Sequence, residues 1–462
     1  MDALADPVLL SRLQMAFTLS FHILFPTLTI GLSAFLVFLH GRWLWFHDDA
    51  DMQLFRFWTR IFALGFGVGV VSGIVLSFEF GTNFAPFSRF TGNVLAPLLS
   101  YEVLMAFFLE ASFLPLLLFG FGRVGPRLHF FATLMVATGT LLSAFWILSA
   151  NSWMHTPAGH ALHDGVIHVT DWFAAIFNPS FPYRFAHMVM ASFLTGAFVV
   201  AGVSAWHLLR ARCAPLARRA LSLALWAALV CAPAQVLLGD LHGLNTRQVQ
   251  PVKLAAMEAL WETRTHAPFV VFALPDQAAQ RNRWELGIPL AGSLILTHTP
   301  DGQVAGLDQV TPADRPHVAT VFWAFRIMLF VGFFLLALAV AGLILRLRGA
   351  LYSRRWYLRL LVVASPLGFV AVLAGWTVTE VGRQPWAVQG LLRTADAATP
   401  LPAASVGGSV VLFLLLYNAL LLAFLYFLYR LVRKGPEEQA PARRPGASPR
   451  TAWYPSMEDG RR

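Results

Sequence analysis

The chain has 462 residues, of which 57% are hydrophobic and only 13% are charged. A soluble domain carries about 25% charged residues, so this composition excludes a soluble protein and indicates an integral membrane protein. The net charge of +10 does not indicate a nucleic-acid partner, because the positive residues lie between apolar segments instead of forming a basic domain. The two cysteines, Cys213 and Cys231, are too few for a disulfide scaffold, and we expect them to be small packing residues.

Apolar segments long enough to span a bilayer, at about 20 residues each, recur along the chain. We predict nine, at 14–39, 57–79, 95–121, 128–149, 185–209, 218–238, 320–345, 357–380 and 409–431. The acidic start of the chain lacks the basic region of a cleaved signal peptide, so we expect the first segment to remain in the mature protein. The predicted fold class is an all-α integral membrane protein with about nine transmembrane helices in helical bundles.

The distribution of Lys and Arg predicts the orientation in the membrane. If the N-terminus lies outside, the inside segments hold most of the 34 Lys and Arg residues. The exceptions concentrate in one long segment, and long translocated segments obey the charge rule poorly. We therefore predict an N-terminus outside and a C-terminus inside.

Two regions of the chain are polar. Residues 239–319 form a long stretch between the helices of 1–238 and those of 320–432. Such a length is unusual for an idle connection, so we expect a folded, functional loop on the outer face. Residues 433–462 are rich in Pro, Arg and Glu, and we predict a disordered cytoplasmic tail.

Ionisable groups inside apolar segments are costly and mark functional sites. With the predicted orientation, a group of such residues, together with one methionine, lies in the outer half of the bilayer. These residues are His22, Glu102, Glu110, His187, Met328 and Glu380. Random placement would scatter them over both halves, so the clustering predicts a shared site.

The chemistry of this set fits heme. Histidine, methionine and carboxylate side chains ligate heme iron, and a His/Met pair makes a six-coordinate electron-transfer heme. His187 with Met328 fits that type. His22, Glu380 and Glu102 could serve a heme that keeps a position open for oxygen.

Each candidate also has a simpler interpretation. A membrane histidine often only hydrogen-bonds between helices, a methionine usually packs, and Glu380 could form an ion pair with Arg383. Glu102 and Glu110 are about 12 Å apart on an ideal α-helix, which suits two stations of a proton path. Three tryptophans are more simply explained as anchors at the membrane interface than as cofactor contacts; they are Trp153, Trp376 and Trp386.

Seven short motifs stand in the order found in one family. They are Ser11–Gln14 before His22, Glu79–Asn83, Glu102–Glu110, Trp146–Asn151, Lys253–Glu258 with Trp261–Thr263, Phe322–Met328 and Gly382–Trp386. On these motifs the chain resembles subunit I of the cytochrome bd-type quinol oxidases over nearly its whole length.

The resemblance implies ligands for three hemes. His187 and Met328 match the axial ligands of a low-spin heme b. His22 and Glu380 match the ligand positions of two high-spin hemes, without a decision on which residue holds which heme. Glu102 matches a carboxylate beside the oxygen-reducing heme and is a further candidate ligand. The high-spin heme region then lies largely in 1–238.

The resemblance implies further roles. Glu110 matches a proton-path carboxylate, so Glu102 and Glu110 are the candidate catalytic residues. Arg326 and Arg383 match positions that neutralise heme propionates. Lys253 and Glu258 match a quinol-binding pair, in which a cation contacts the quinone oxygen and a carboxylate takes a proton. On residues alone, this last pair would more simply be a solvated loop face.

The short stretch from Trp261 to Arg326 resembles the short-loop branch of the family, which includes the cyanide-insensitive oxidases. Some members of that branch lack a heme d spectrum. The implied cofactors are therefore two hemes b and one heme d, or a third heme b in its place, with ubiquinol or menaquinol as substrate. The implied partners are a second multi-span subunit, a very small third subunit and membrane lipid, in the bacterial cytoplasmic (inner) membrane.

The implied function is the oxidation of quinol at the outer face and the reduction of oxygen to water. Charge separation without a dedicated pump would generate the proton motive force. Two other functions stay open on residues alone. One is a diheme cytochrome b electron carrier, and the other is an ion-coupled transporter that uses Glu102, Glu110 and Glu380.

Overall fold

The computed structural model describes residues 6–436. Within them, nine helical segments are long and apolar enough to span a membrane: Pro7–Phe46, Asp49–Thr82, Ala85–Phe119, Pro126–His155, Phe181–Leu209, Ala214–Val249, Pro312–Leu347, Arg355–Val381 and Ala403–Lys434. Each overlaps one predicted segment, and the all-α membrane fold is confirmed. Of the predicted disordered tail, Arg433 and Lys434 belong to the last helix, and the residues beyond Pro436 lie outside the described residues.

The first four spans contain five α-helices. They are α1 (Pro7–Phe46), α2 (Asp49–Thr82), α3 (Ala85–Tyr101), α4 (Phe108–Phe119) and α5 (Pro126–His155). A π-helix, Glu102–Phe107, joins α3 to α4 inside the third span. The ideal α-helical spacing assumed for Glu102 and Glu110 is therefore wrong, because a π-helical turn holds more residues than an α-helical turn.

The next part of the chain begins with a hairpin and ends in two long helices. Its elements are β1 (His160–His163), β2 (Val166–Val169), α6 (Trp172–Ile176), α7 (Phe181–Leu209) and α8 (Ala214–Val249). The strands β1 and β2 pair antiparallel. Trp153, at the end of α5, is fully buried, and its Nε1 donates to the carbonyl oxygen of Ala158 at 3.0 Å. The interface-anchor interpretation is wrong for Trp153.

The long loop is shorter than predicted. Helix α8 continues to Val249, so residues 239–249 belong to the sixth span instead of the loop. Hydropathy assigned these residues to the loop because several of them are polar. In the structure these polar residues are helical and contact neighbouring elements. Nδ2 of Asn245, for example, donates to the carbonyl oxygen of Pro179 at 3.1 Å.

The loop itself is folded. It contains α9 (Pro251–Glu258), the antiparallel strands β3 (Phe269–Asp276) and β4 (Arg281–Ile288), α10 (Ala291–Thr297) and two 3-10 turns, Leu307–Gln309 and Pro312–Asp314. A buried apolar cluster that includes Leu254, Val270 and Phe322 holds α9 and β3 against the start of the seventh span. Burial of this surface fixes the loop on the bundle.

The last part of the chain supplies three spans. Its elements are α11 (Val318–Leu347), α12 (Arg355–Ala364), α13 (Leu367–Val381), β5 (Trp386–Val388), β6 (Leu392–Arg393), α14 (Thr394–Ala397) and α15 (Ala403–Lys434). Helices α12 and α13 form the eighth span. At the bundle centre α1 and α7 approach closely, and a Cβ at Gly196 would lie 2.8 Å from Cα of Gly31. Small residues permit this backbone contact.

Candidate heme and quinol site

Lys253 is buried among polar side chains at the start of α9. Its Nζ lies 2.9 Å from Nδ1 of His155 and donates to Oε1 of Gln250 at 2.8 Å. Only 4% of Lys253 is exposed. The solvated-loop interpretation of this residue is therefore wrong.

The surroundings of Lys253 disfavour its charged form. Burial holds the pKa of its ammonium well below the ordinary lysine value, and the positive charges of Arg184 and Arg383 lower it further. Glu380 acts in the opposite direction. A buried lysine with a lowered pKa is typical of functional sites.

Glu258, at the end of α9, is also buried but has a different partner. Its Oε2 lies 2.6 Å from Nη2 of Arg326, and Nε of Arg326 donates to the carbonyl oxygen of Val270 at 2.6 Å. The rings of Phe269 and Phe322 flank the guanidinium, with centroids 4.6 and 4.7 Å from its Cζ. The structure thus does not bring Lys253 and Glu258 together, and it pairs Arg326 with Glu258.

Glu380 accepts hydrogen bonds on both carboxylate oxygens. Nδ2 of Asn151 donates to Oε1 at 2.9 Å, and Nη2 of Arg383 donates to Oε2 at 2.6 Å. Nε2 of His155 lies 3.8 Å from Oε1. The ion pair with Arg383, which the sequence left as an alternative, is formed.

Cationic groups outnumber carboxylates in this polar cluster. Arg184, Lys253 and Arg383 are all buried, and Glu380 is the carboxylate beside them. Nε of Arg184, and Nε and Nη1 of Arg383, are buried without a hydrogen-bond partner among the described residues. Buried charges need partners, so the cluster fits an anionic group such as the propionates of a heme.

His187 and Met328 each face a glycine. A Cβ at Gly239 would lie 3.3 Å from Cε1 of His187, and a Cβ at Gly375 would lie 3.1 Å from Sδ of Met328. Nε2 of Gln235 lies 3.2 Å from Nε2 of His187. The two glycines therefore allow the backbones of α8 and α13 to approach these side chains closely.

His22 has a similar setting between α1 and α2. Its Nδ1 is 3.0 Å from Oγ of Ser72, and a Cβ at Gly73 would lie 3.0 Å from its Cε1. A hydrogen bond to one ring nitrogen orients the other toward a metal. Nε2 of His22 is therefore the nitrogen suited to heme iron.

Glu102 and Glu110 both lie in the third span, Glu102 at the start of the π-helix and Glu110 in α4. Oγ of Ser143 donates to Oε1 of Glu102 at 2.7 Å. Glu110 is buried and packs against Gly139. The span runs from Ala85 to Phe119 and begins ten residues earlier than the predicted segment. The placement of all six residues in the outer half of the bilayer stays a prediction.

Several residues of the site were missed by sequence reasoning. They are Asn151, His155, Arg184 and Gln250, which contact or neighbour Lys253 and Glu380. Arg184 begins an apolar span, so the cost of a buried charge could have identified it. His155 and Gln250 stand at helix ends, where polar residues are ordinary, and no sequence signal separated them.

The fold and the site define a multi-span membrane protein with donor atoms and cationic partners suited to heme. The family model described as cytochrome bd terminal oxidase subunit I matches residues 10–436. The chain therefore belongs to the family of cytochrome bd terminal oxidase subunit I, whose members are terminal oxidoreductases that use heme.

Similar proteins cover nearly the whole chain. Cytochrome bd ubiquinol oxidase subunit 1 of Bacillus subtilis (strain 168) is 34% identical over 93% of this chain and 94% of its own length. Cytochrome bd-II ubiquinol oxidase subunit 1 of Escherichia coli (strain K12) is 34% identical over 93% and 97%. The bd oxidase structure from Geobacillus thermodenitrificans matches with a TM-score of 0.87 and 34% identity, covering 94% of this chain and 99% of that chain.

Proposed function

We propose that this chain is the subunit of a quinol:oxygen oxidoreductase that binds quinol and holds the hemes for oxygen reduction. One observation carries the proposal. Lys253, the candidate quinol-binding cation, lies in the same buried polar cluster as Glu380, the candidate heme ligand. A cation for quinol and a carboxylate for iron thus adjoin within one site.

His187 and Met328 would hold a low-spin heme b, and His22 and Glu380 would each hold one high-spin heme. Glu102 is a further candidate ligand. The set would be two hemes b and one heme d, or a third heme b in its place. When bound, these groups supply one-electron transfer and, at an open iron position, the chemistry of oxygen reduction.

The chain's own residues prepare the site for anionic cofactors. Arg383 and Arg184 have buried N–H groups that lack protein partners, and propionates would satisfy them. Nη1 of Arg326 is also buried without a partner among the described residues. Arg326 and Arg383 therefore remain candidates for propionate contacts, although each also forms an ion pair with a glutamate.

Quinol oxidation needs a donor to hold the quinol oxygen and a base to accept its proton. An ammonium group has three donors, and Lys253 gives two of them to His155 and Gln250. The third is available for a quinol oxygen. Glu258 uses Oε2 for Arg326, which leaves Oε1 as the acceptor. The substrate is ubiquinol or menaquinol.

We place the N-terminus and the loop outside the bacterial cytoplasmic (inner) membrane, and the C-terminus inside. Quinol protons then leave at the outer face, and protons for water come from the inside past Glu110. Glu110 is a buried carboxylate of the third span, which suits a station on that path. This charge separation generates a proton motive force without a dedicated pump.

The partners follow from the same assignment. A second multi-span subunit completes the oxidase, as the designation subunit 1 of the two relatives implies for those proteins. A very small third subunit and membrane lipid are further partners.

Spectra of the purified complex test the proposal. The pyridine hemochrome spectrum should give three hemes in total, and carbon monoxide should change the spectrum of the reduced protein. An electron carrier with only six-coordinate hemes would not react with carbon monoxide. A preparation with its partner subunit but without heme, or without a carbon monoxide response, would contradict the proposal.

A further inference from the structure

His155 lies between Lys253, the candidate quinol-binding residue, and Glu380, the candidate heme ligand. It ends α5, it is fully buried, and its two ring nitrogens face different residues. Nδ1 is 2.9 Å from Nζ of Lys253, and Nε2 is 3.8 Å from Oε1 of Glu380. Nε2 has no hydrogen-bond partner among the described residues.

The contact with Lys253 fixes which nitrogen carries the ring proton. Nζ of Lys253 is a donor, so Nδ1 of a neutral His155 must accept. The ring proton then resides on Nε2, which is 3.8 Å from Oε1 of Glu380. Gln250 lies 3.5 Å from Nδ1 through its Nε2 and competes only weakly for that nitrogen.

We propose that His155 is a positioning residue for quinol oxidation. It holds the Lys253 ammonium in the orientation that presents its remaining N–H to a quinol oxygen. This inference rests on the proposed function, because it assumes that Lys253 contacts quinol.

Packing explains why one residue can have this effect. The aliphatic part of Lys253 is confined, since a Cβ at Gly382 would lie 2.9 Å from its Cγ. Among the residues that the structure describes, His155 and Gln250 are the hydrogen-bond partners that direct the ammonium. Removal of one acceptor would let the ammonium turn toward Gln250 and away from the position needed by quinol.

A double-mutant cycle in the assembled oxidase tests this inference. The quinol is the short-chain ubiquinol or menaquinol analogue that the wild type oxidises faster, and KM and kcat are measured for His155→Ala, Lys253→Ala and the double variant. His155→Ala should raise KM about tenfold, the loss expected for one hydrogen bond to a charged group. The double variant should have the same KM as Lys253→Ala, because His155 acts through Lys253.

Two further variants control for folding. His155→Gln keeps an acceptor for Lys253 and should recover most of the quinol affinity. His207→Ala removes another buried histidine, near the opposite end of α7 from Arg184, and should leave KM unchanged. Heme content, measured for every variant, identifies any protein that has not assembled.

Each result decides between the inference and the proposed function. If Lys253→Ala raises KM but His155→Ala and His155→Gln both match the wild type, the inference is wrong and the quinol site stands. If the effects of the two single substitutions on KM add in the double variant, His155 does not act through Lys253 and the inference is also wrong. If Lys253→Ala itself matches the wild type, the quinol-site assignment fails first.

Discussion

Glu258 and Arg326 form a buried ion pair, with 2.6 Å between Oε2 and Nη2, that joins the loop helix α9 to the membrane helix α11. Arg326 is fully buried, and it also holds strand β3 through the carbonyl oxygen of Val270. Arg326 thus connects helix α9 and strand β3 of the loop to helix α11. The Glu258–Arg326 pair therefore holds the loop in position.

Removal of one partner of this pair should destabilise the protein. Glu258→Ala leaves the Arg326 charge buried and unpaired, which costs about 3–5 kcal/mol. The thermal unfolding midpoint of the purified protein should fall. Arg283→Ala is the matched control, because Arg283 pairs with Asp276 at 2.6 Å but is largely exposed, and exposed pairs contribute about 0–1 kcal/mol. Equal shifts for both variants would contradict the assignment of a stabilising buried pair.

Substitution of Glu380 should affect one class of heme. Glu380→Ala removes a candidate iron ligand together with the partner of Arg383 and Asn151. We expect loss of a high-spin heme signal in the reduced-minus-oxidised spectrum, while the low-spin signal remains. Asn151→Ala, which removes only a hydrogen bond to Glu380, should retain all hemes. If Glu380→Ala keeps all three hemes spectrally intact, Glu380 is not a ligand.

Gly375 should be essential for the position of Met328 and therefore for the low-spin heme. Gly375→Ala places a methyl group 3.1 Å from Sδ of Met328, closer than most side-chain contacts, so the sulfur must move. The low-spin heme band and its midpoint potential should change. Gly332→Ala on α11 meets no atom within 4 Å and should leave both unchanged. An unaltered low-spin heme in Gly375→Ala would argue against Met328 as its ligand.

Quinol binding should weaken on the alkaline side because of Lys253. Its folded-state pKa is lowered by burial, so the ammonium loses a proton, and one donor, at lower pH than an exposed lysine. The unfolded state binds more protons between the lowered and the ordinary pKa, so this group makes stability rise with pH across that window. KM for quinol should rise as pH increases through the lowered pKa.

Lys253→Arg gives the matched test of this pH dependence. Arginine keeps its charge throughout the accessible range, so the alkaline rise in KM should disappear in any Lys253→Arg protein that retains its hemes. A rise at the same pH in both proteins would assign the titration to another group.

The spans and the candidate ligands could be predicted from the sequence because both depend on local properties. Apolar length identified every span, and the cost of buried ionisable groups identified Glu380, His22 and Glu102. The partners of these residues depend on contacts between distant segments. The pairing of Glu258 with Arg326, and of Lys253 with His155, needed the packed structure.

Two errors have local physical causes. The sequence predicts a loop at the end of α8 because the polar residues there lower the hydropathy, whereas in the structure they contact other elements of the fold. The π-helix at Glu102–Phe107 has no distinctive composition, since it depends on packing of the third span against its neighbours. Both errors moved boundaries near the site without changing the set of candidate residues.

Oxygen uptake by the purified complex in lipid vesicles, started by the addition of a short-chain quinol, tests the central claim most directly. We expect rapid uptake in the ratio of oxygen to quinol that reduction to water requires, with protons released on the side of the loop. Loss of the quinol-driven rate is expected in Lys253→Ala, while dithionite still reduces its hemes. Reduction of the hemes by quinol without oxygen uptake would contradict the account and indicate an electron carrier.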